Sequence, residues 1–368
     1  METELSTPPA PKQNRLAAVV PAWAILLILI FVVAGWVMIG ETLRQKREAI
    51  VRHSQRMNHQ AEAPPKPTEG PAPTEVRVGI YVDRVSEFSI KETAWTVDFY
   101  IWFLWQDKDL TPGESFQIIE GEVESREKKT EAKLPDGSFY VQYRVKAKMT
   151  KFFDTSRFPS DDHLLTIRIE DTALPIERLR YLPDKENSSI SSRVKFPGYE
   201  TYKILVVVQP HGYKTTRGDP RLAKGSQATF SQLVYGVWIK RDGLGFYLKL
   251  FQGLFAAVAI AFIAFFIKPT DVDPRFGLPV CAFFGAVANS YILASLLPDT
   301  AVVALADMVN GLGMATIFLT LVQSAISLHL YDIRGEEALS RRLDRVSVVI
   351  FAVGYIGINI AIPIAARI

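Results

Sequence analysis

Four long apolar spans crowd the last third of this chain, directly behind a polar, strand-rich region. They run Phe246–Ile267, Phe276–Leu297, Ala301–His329 and Val346–Ala365. A helix rises about 1.5 Å per residue, so roughly 20 apolar residues cross a bilayer core of about 30 Å. That order predicts a folded domain on one face of a membrane, joined to a compact helical bundle. A fifth apolar span, Leu16–Ile39, lies near the start. It is too long for the core of a secretory signal and lacks a small-residue cleavage site, so it reads as an uncleaved anchor.

The charges set an orientation, with one conflict. Lys12 and Arg15 precede the anchor, but Arg44, Lys46, Arg47 and Arg52 follow it, which favours an outside N-terminus by the positive-inside rule. The bundle argues the other way. Lys268 and Arg275 follow its first span, and Arg334, Arg341, Arg342 and Arg345 precede its last. If the helices alternate, both groups share one side. That side is then cytoplasmic, the polar domain lies outside, and the single anchor requires an inside N-terminus. The two bundle connections agree with each other and outweigh the anchor flanks.

Five regions follow. Residues 1–15 are a polar cytoplasmic tail, 16–40 the anchor, and 41–75 a charged juxtamembrane helix followed by a Pro-rich linker, AEAPPKPTEGPAPTE. Residues 76–241 alternate apolar and polar positions in VRVGIYVDRV and TAWTVDFYIWFLW, with Pro112-Gly113 and Pro135-Asp136-Gly137 as turns. Further strand-like runs cover Ser138–Met149, Leu164–Glu170, Tyr202–Gln209 and Phe230–Lys240. Short strands between turn signals predict a β-sandwich. Residues 246–365 form the bundle. The expected fold is therefore an all-β extracellular sandwich followed by a four-helix transmembrane bundle, with an additional N-terminal transmembrane helix.

Composition narrows the function. A net charge of +3, with no basic run interleaved with aromatics, argues against nucleic acid. The only cysteine, Cys281, lies inside an apolar span, which excludes an intrachain disulfide and makes thiol catalysis unfavourable there. The five histidines, at 53, 59, 163, 211 and 329, show no metal-ligand spacing, and there is no phosphate loop or nucleophile elbow. No enzyme and no cofactor is expected.

Residues 152–171 read FFDTSRFPSDDHLLTIRIED. Pro159 fixes φ and removes a donor, shaping a tight loop, and Phe158 can insert into an adjacent apolar surface. This stretch resembles the signature loop of the pentameric ligand-gated ion channels, with Phe158, Pro159 and Asp161 at the motif core. The flanking cysteines are absent, as in bacterial members. The resemblance extends over residues 76–365. VGIYVDRVSEFSIKETAWTVDFYIWFLWQDKDL is similar to the family's first two strands and ends in its Trp-x-Asp element at Trp105 and Asp107. LVYGVWIKRDGLGFYLK is similar to its last strand entering the first bundle helix, with Arg241 at the pre-membrane arginine. The second bundle helix ends in Leu297-Pro298, as in the family.

The resemblance implies a homopentamer in a lipid bilayer, in a bacterial inner membrane with the sandwich in the periplasm. A small ligand or protons would gate it, and the second bundle helix would line the pore. In the family's register the pore face carries Gly277, Cys281, Phe284, Ala288, Tyr291 and Ser295, with Phe284 an apolar constriction. Asp273 and Arg275 would stand at the cytoplasmic mouth, and the acid ring leans toward cations. Pro279 sits one turn inside this helix, which argues for a start at Leu278. Asn289 is either an inter-helix hydrogen bond or a pore group. Asp161 or Asp162 is expected to pair with Arg241, and the signature loop to rest on the Leu297–Ala301 linker beside Pro298. Agonists would bind between neighbouring sandwiches among Phe116, Tyr140, Tyr143, Tyr213 and Phe230, under a basic tip carrying Arg217, Arg221 and Lys224. The alternative is a non-conducting membrane sensor or assembly protein of the same fold, suggested by the apolar second helix and the extra anchor.

Overall fold

The computed structural model describes residues 18–57, 72–213, 215, 229–241, 243–300 and 302–367. The N-terminal tail, most of the Pro-rich linker, and the basic tip with Arg217, Arg221 and Lys224 lie outside the described residues. Helix α1 spans Val19–Met57, ten strands follow, and four helices close the chain: α2 Gly243–Ile263, α3 Val272–Leu296, α4 Leu305–Leu328 and α5 Glu337–Arg367.

The strands are β1 Thr74–Ser89, β2 Ala94–Trp105, β3 Phe116–Ile119, β4 Gly121–Lys133, β5 Phe139–Thr150, β6 Asp162–Asp171, β7 Leu179–Pro183, β8 Ser189–Ile190, β9 Tyr199–Gly212 and β10 Thr229–Arg241. They build two sheets. One orders β4-β5-β2-β1-β7 with β8 also on β1, and the other orders β3-β6-β10-β9. Period-two alternation turns Val76, Val78, Ile80, Phe99, Ile101 and Phe103 of the first sheet inward. They meet Leu165, Ile167, Ile169, Leu233, Tyr235 and Val237 of the second in one apolar core. Phe116 opens strand β3 and faces that core, away from the sandwich surface where a ligand residue was expected.

All five helices are long and apolar enough to cross a membrane, as a multi-pass membrane protein requires. Helix α1 has no break after Ile39, and anchor and juxtamembrane segment form one helix of 39 residues. At about 1.5 Å per residue it is roughly 58 Å long, well beyond the hydrocarbon thickness. Pro21 falls in its first turn, where the missing N–H costs nothing.

Helix α1 runs parallel to α5. Val20 clusters with Leu330 and Leu343, Phe31 meets Phe351 edge-on at 5.7 Å, and Ile358 lies over Gly35. A Cβ on Gly354 would fall 2.6 Å from the Phe31 ring, whereas one on Gly357 would meet nothing within 4 Å. Gly354→Ala is therefore expected to lower stability by about 1–3 kcal/mol through overpacking. Gly357→Ala should leave it unchanged or slightly raised, since alanine is the better helix former. Thermal unfolding of the two variants checks the pair.

Two helix starts differ from expectation. Helix α3 begins at Val272, not Leu278, with Pro279 inside it. Pro274 occupies the first turn, and the Arg275 N–H donates to the Asp271 carbonyl at 3.2 Å. Those first-turn features hold the earlier start, and Pro279 then removes a single later bond. Helix α5 begins at Glu337, so Arg341, Arg342 and Arg345 are on its first turns and not in the connection.

Candidate functional site

Helix α3 has two faces. Arg275, Pro279, Ala282, Ala286, Asn289 and Leu293 recur every three or four residues and are buried, as one stripe of a helix must be. The opposite stripe holds the six residues named above for the pore. Gly277 is half-buried, and Cys281, Phe284, Ala288, Tyr291 and Ser295 are exposed. Phe284 is 69% and Tyr291 75% exposed in the single chain, so this stripe carries large uncovered aromatic surface. Asn289 belongs to the buried face: its amide donates to Asn310 Oδ1 at 3.2 Å, and Asn310 in turn donates to the Ser290 hydroxyl. This decides between its two alternatives in favour of the helix–helix bond.

Arg275 is not on the open stripe. Its side chain is fully buried, donating to Asp344 Oδ1 of α5 at 2.8 Å and to the Ile267 carbonyl at 2.6 Å. Asp344 also accepts from Gln323 at 3.2 Å and Ser327 at 2.8 Å, both on α4. A guanidinium in an apolar bundle has to find a carboxylate and carbonyl partners, and the interior of the chain supplies one of each, while Nε has none. The same pair brings the α2–α3 and α4–α5 connections to one end of the bundle. Asp273, by contrast, is exposed in the first turn of α3.

At the other end, the loop between β5 and β6 meets the helices. Phe158 is buried in the same apolar cluster as Phe251, Leu254 and Leu305, edge-on to Phe246 at 5.9 Å. The Phe158–Pro159 bond is cis. The carbonyls of Ser156 and Phe158 accept from the N–H groups of Leu305 (2.8 Å) and Ala306 (3.0 Å). First-turn N–H groups have no partner within their own helix, so the loop caps α4. The loop therefore docks on the start of α4, beyond the expected Leu297–Ala301 linker. Pro298 instead ends α3: Leu297 is extended (φ −107°, ψ 150°), as a residue before proline must be.

Behind this loop Asp161 is buried and accepts from Arg241 Nε at 2.7 Å, Tyr199 Oη at 2.6 Å and His163 Nε2 at 2.6 Å. Asp161, not Asp162, is thus the partner of Arg241, while Asp162 pairs with Arg157. The Arg241 guanidinium also lies 4.2 Å from the Tyr199 ring centre, 4.5 Å from Phe246 and 4.8 Å from Phe158. Burial alone would raise the Asp161 pKa, but the His163 bond and the charges of His163 and Arg241 outweigh it and hold the carboxyl well below its usual range. Burial and the Asp161 charge push the Tyr199 hydroxyl far up, so it stays a donor. His163 and Tyr199 escaped the sequence reading; two residues beyond Asp161 on an alternating strand was the available signal for His163.

The five aromatic ligand candidates do not form one cage within the chain. Phe116 and Tyr143 face the sandwich core, 5.7 Å apart, and the Arg126 guanidinium covers both rings at 4.0 and 4.6 Å. Their inward strand positions close them to a ligand. Tyr140 is half-buried on the outer face of the six-stranded sheet. Tyr213 and Phe230 meet edge-on at 5.7 Å at the free end of the β9–β10 hairpin. They flank a group that sequence reasoning missed. Glu170 is fully buried on the outer side of β6, yet its carboxylate accepts from Gln117 (2.9 Å), His211 (2.8 Å), Gln232 (3.3 Å) and the Tyr213 hydroxyl. The register that sets Gln232 opposite both Glu170 and Gln209, and Phe230 opposite His211, puts them on one face. No family model matches the chain, and comparison with curated proteins gives no match.

Proposed function

We propose that this chain is one subunit of a pentameric ligand-gated ion channel, with its sandwich outside the membrane and α3 lining a central pore. The observation that carries the reading is the pair of faces on α3, one packed on α2 and α4, the other an open stripe from Gly277 to Ser295. A head-to-tail ring of five copies closes on itself and covers such a stripe. The withdrawal of Arg275 into the subunit supports cation passage, because Asp273 then stands at the mouth without an accessible guanidinium beside it. Phe284 forms the apolar constriction. The sandwich acts on the bundle through Phe158 and the capped start of α4, and a ligand binds beside Tyr213, Phe230 and His211 near Glu170. A bacterial inner membrane with a periplasmic sandwich fits this arrangement.

Cys281 offers a direct test, since it is the only cysteine and is exposed on the open stripe. In reconstituted bilayers, a positively charged thiol reagent is expected to abolish most of the current. Cys281→Ser should conduct and be insensitive to the reagent. Absence of any current across pH steps and a ligand panel would instead favour a non-conducting membrane sensor, a reading supported by the packing of α1 along α5.

A further inference from the structure

We propose that α1 carries a docking stripe for one further membrane-crossing helix, supplied by a partner protein and bearing a carboxylate above the bilayer. Helix α1 has two faces along its length. Phe31, Gly35, Met38, Thr42, Gln45 and Ala49 recur every three or four residues and are buried against the rest of the chain. Leu29, Trp36, Leu43 and Ile50 occupy the opposite side and are 37–78% exposed. Their spacing of seven returns each one to nearly the same bearing, so they form a single stripe.

Lipid tails cover such a face only within the bilayer. Every residue from Val19 to Gly40 is apolar, about 33 Å of helix, which fills the hydrocarbon core. The stripe does not end there. Ile50 lies about 15 Å beyond Gly40, past a headgroup layer of roughly 5–8 Å. Ile50 and Val51 are nevertheless 59% and 52% exposed, on a segment rich in charge. This apolar surface meets water, and it continues in phase from Leu29 and Trp36. An occupant that covers all of it has to cross the membrane and rise above it as α1 does. Gly40 stands on the same side, where a Cβ would meet nothing within 4 Å, so a second backbone can approach closely at the boundary.

The charge on the stripe gives the chemistry of the occupant. Arg44 is already paired with Glu41 at 2.6 Å and Glu48 at 3.3 Å. Arg47, one turn below Val51, is exposed and makes no ion pair among the described residues. A second copy of α1 would cross in the same direction and set Arg47 level with Arg47, and like charges so placed repel. A partner helix with Asp or Glu at that height is attracted instead. The stripe therefore fits an acid-bearing helix of another protein better than a copy of itself.

The probe is a synthetic single-span peptide with about 20 apolar residues followed by three polar turns that carry leucine at every seventh position. It is made with either Glu or Lys level with Arg47. The full chain bears a donor dye at its amino terminus, the peptide an acceptor at its own, and both are reconstituted into the same liposomes. Energy transfer should saturate, and the Glu peptide should associate about fivefold more tightly than the Lys peptide. Arg47→Glu should reverse that order. The double variant Ile50→Asn with Val51→Asn should weaken both peptides. All three positions are exposed, so each variant should keep the native melting temperature. A preference left unchanged by Arg47→Glu, or transfer no higher than random mixing in the bilayer, overturns the proposal. So does tighter association between donor-labelled and acceptor-labelled assemblies mixed without peptide, which would assign the stripe to a second copy. No current is read, so a silent channel leaves the stripe standing and an unbound peptide leaves the channel proposal standing.

Discussion

Arg241→Ala is expected to destabilise the folded chain by about 3–5 kcal/mol, because it leaves the buried Asp161 carboxylate with only His163 and the Tyr199 hydroxyl as side-chain partners. It also removes a guanidinium packed among the rings of Tyr199, Phe246 and Phe158. Arg241→Lys keeps the charge but loses the planar contact with three rings, so it should fall between native and alanine. Denaturant unfolding followed by tryptophan fluorescence measures this, and a change below about 1 kcal/mol would mean that water reaches the pair. The pH dependence has a fixed sign. The folded-state pKa of Asp161 is depressed, so its contribution is fully present above the unfolded value of about 3.9 and fades as pH falls toward the folded value. The gap between native and Arg241→Ala should therefore narrow in acid, below about pH 4.

Arg275→Ala should cost a similar amount, about 3–5 kcal/mol, for a reason located at the opposite end of the bundle. It leaves Asp344 with only Gln323 and the Ser327 hydroxyl as donors in an apolar setting. The double replacement Arg275→Met with Asp344→Leu removes both charges and should recover most of the loss. Thermal unfolding of both single variants and the double variant gives the coupling energy directly. The experiment separates two placements of this arginine. On an open, water-facing stripe Arg275→Ala would change stability by no more than about 0.5 kcal/mol.

Sequence pattern carried the long elements well and the buried charges poorly. Strands β1, β2, β5 and β6 alternate over most of their length because one side of each meets the core, whereas β10 is buried on nearly every residue and was legible as an apolar run. Strand β4, GEVESREKKTEAK, has almost no apolar residues and is exposed nearly throughout. Its pairing with β5 makes it a strand, and its charges suit an edge. The open stripe of α3 came from the register that the family resemblance implies, and its residues are exposed in the single chain, apart from the half-buried Gly277. The burial of Arg275 was not legible, because a charge beside a membrane span reads as a surface charge until its partner 69 residues later is seen. Phe116 and Tyr143 misled for the opposite reason: aromatics suit a ligand cage and a sandwich core equally, and only strand phase separates the two.

The double bond from the Ser156 and Phe158 carbonyls to consecutive N–H groups of α4 has a mechanical corollary. Two bonds side by side resist pivoting, so loop and helix tip form a stiff joint instead of a hinge. Asn310 of α4 lies about 7.5 Å further along the axis from Leu305. There it bonds Asn289 and Ser290 in the last third of α3. The sandwich loop and the α3–α4 bond are thus joined through one short stretch of α4, and that bond meets α3 about two turns before the extended Leu297-Pro298.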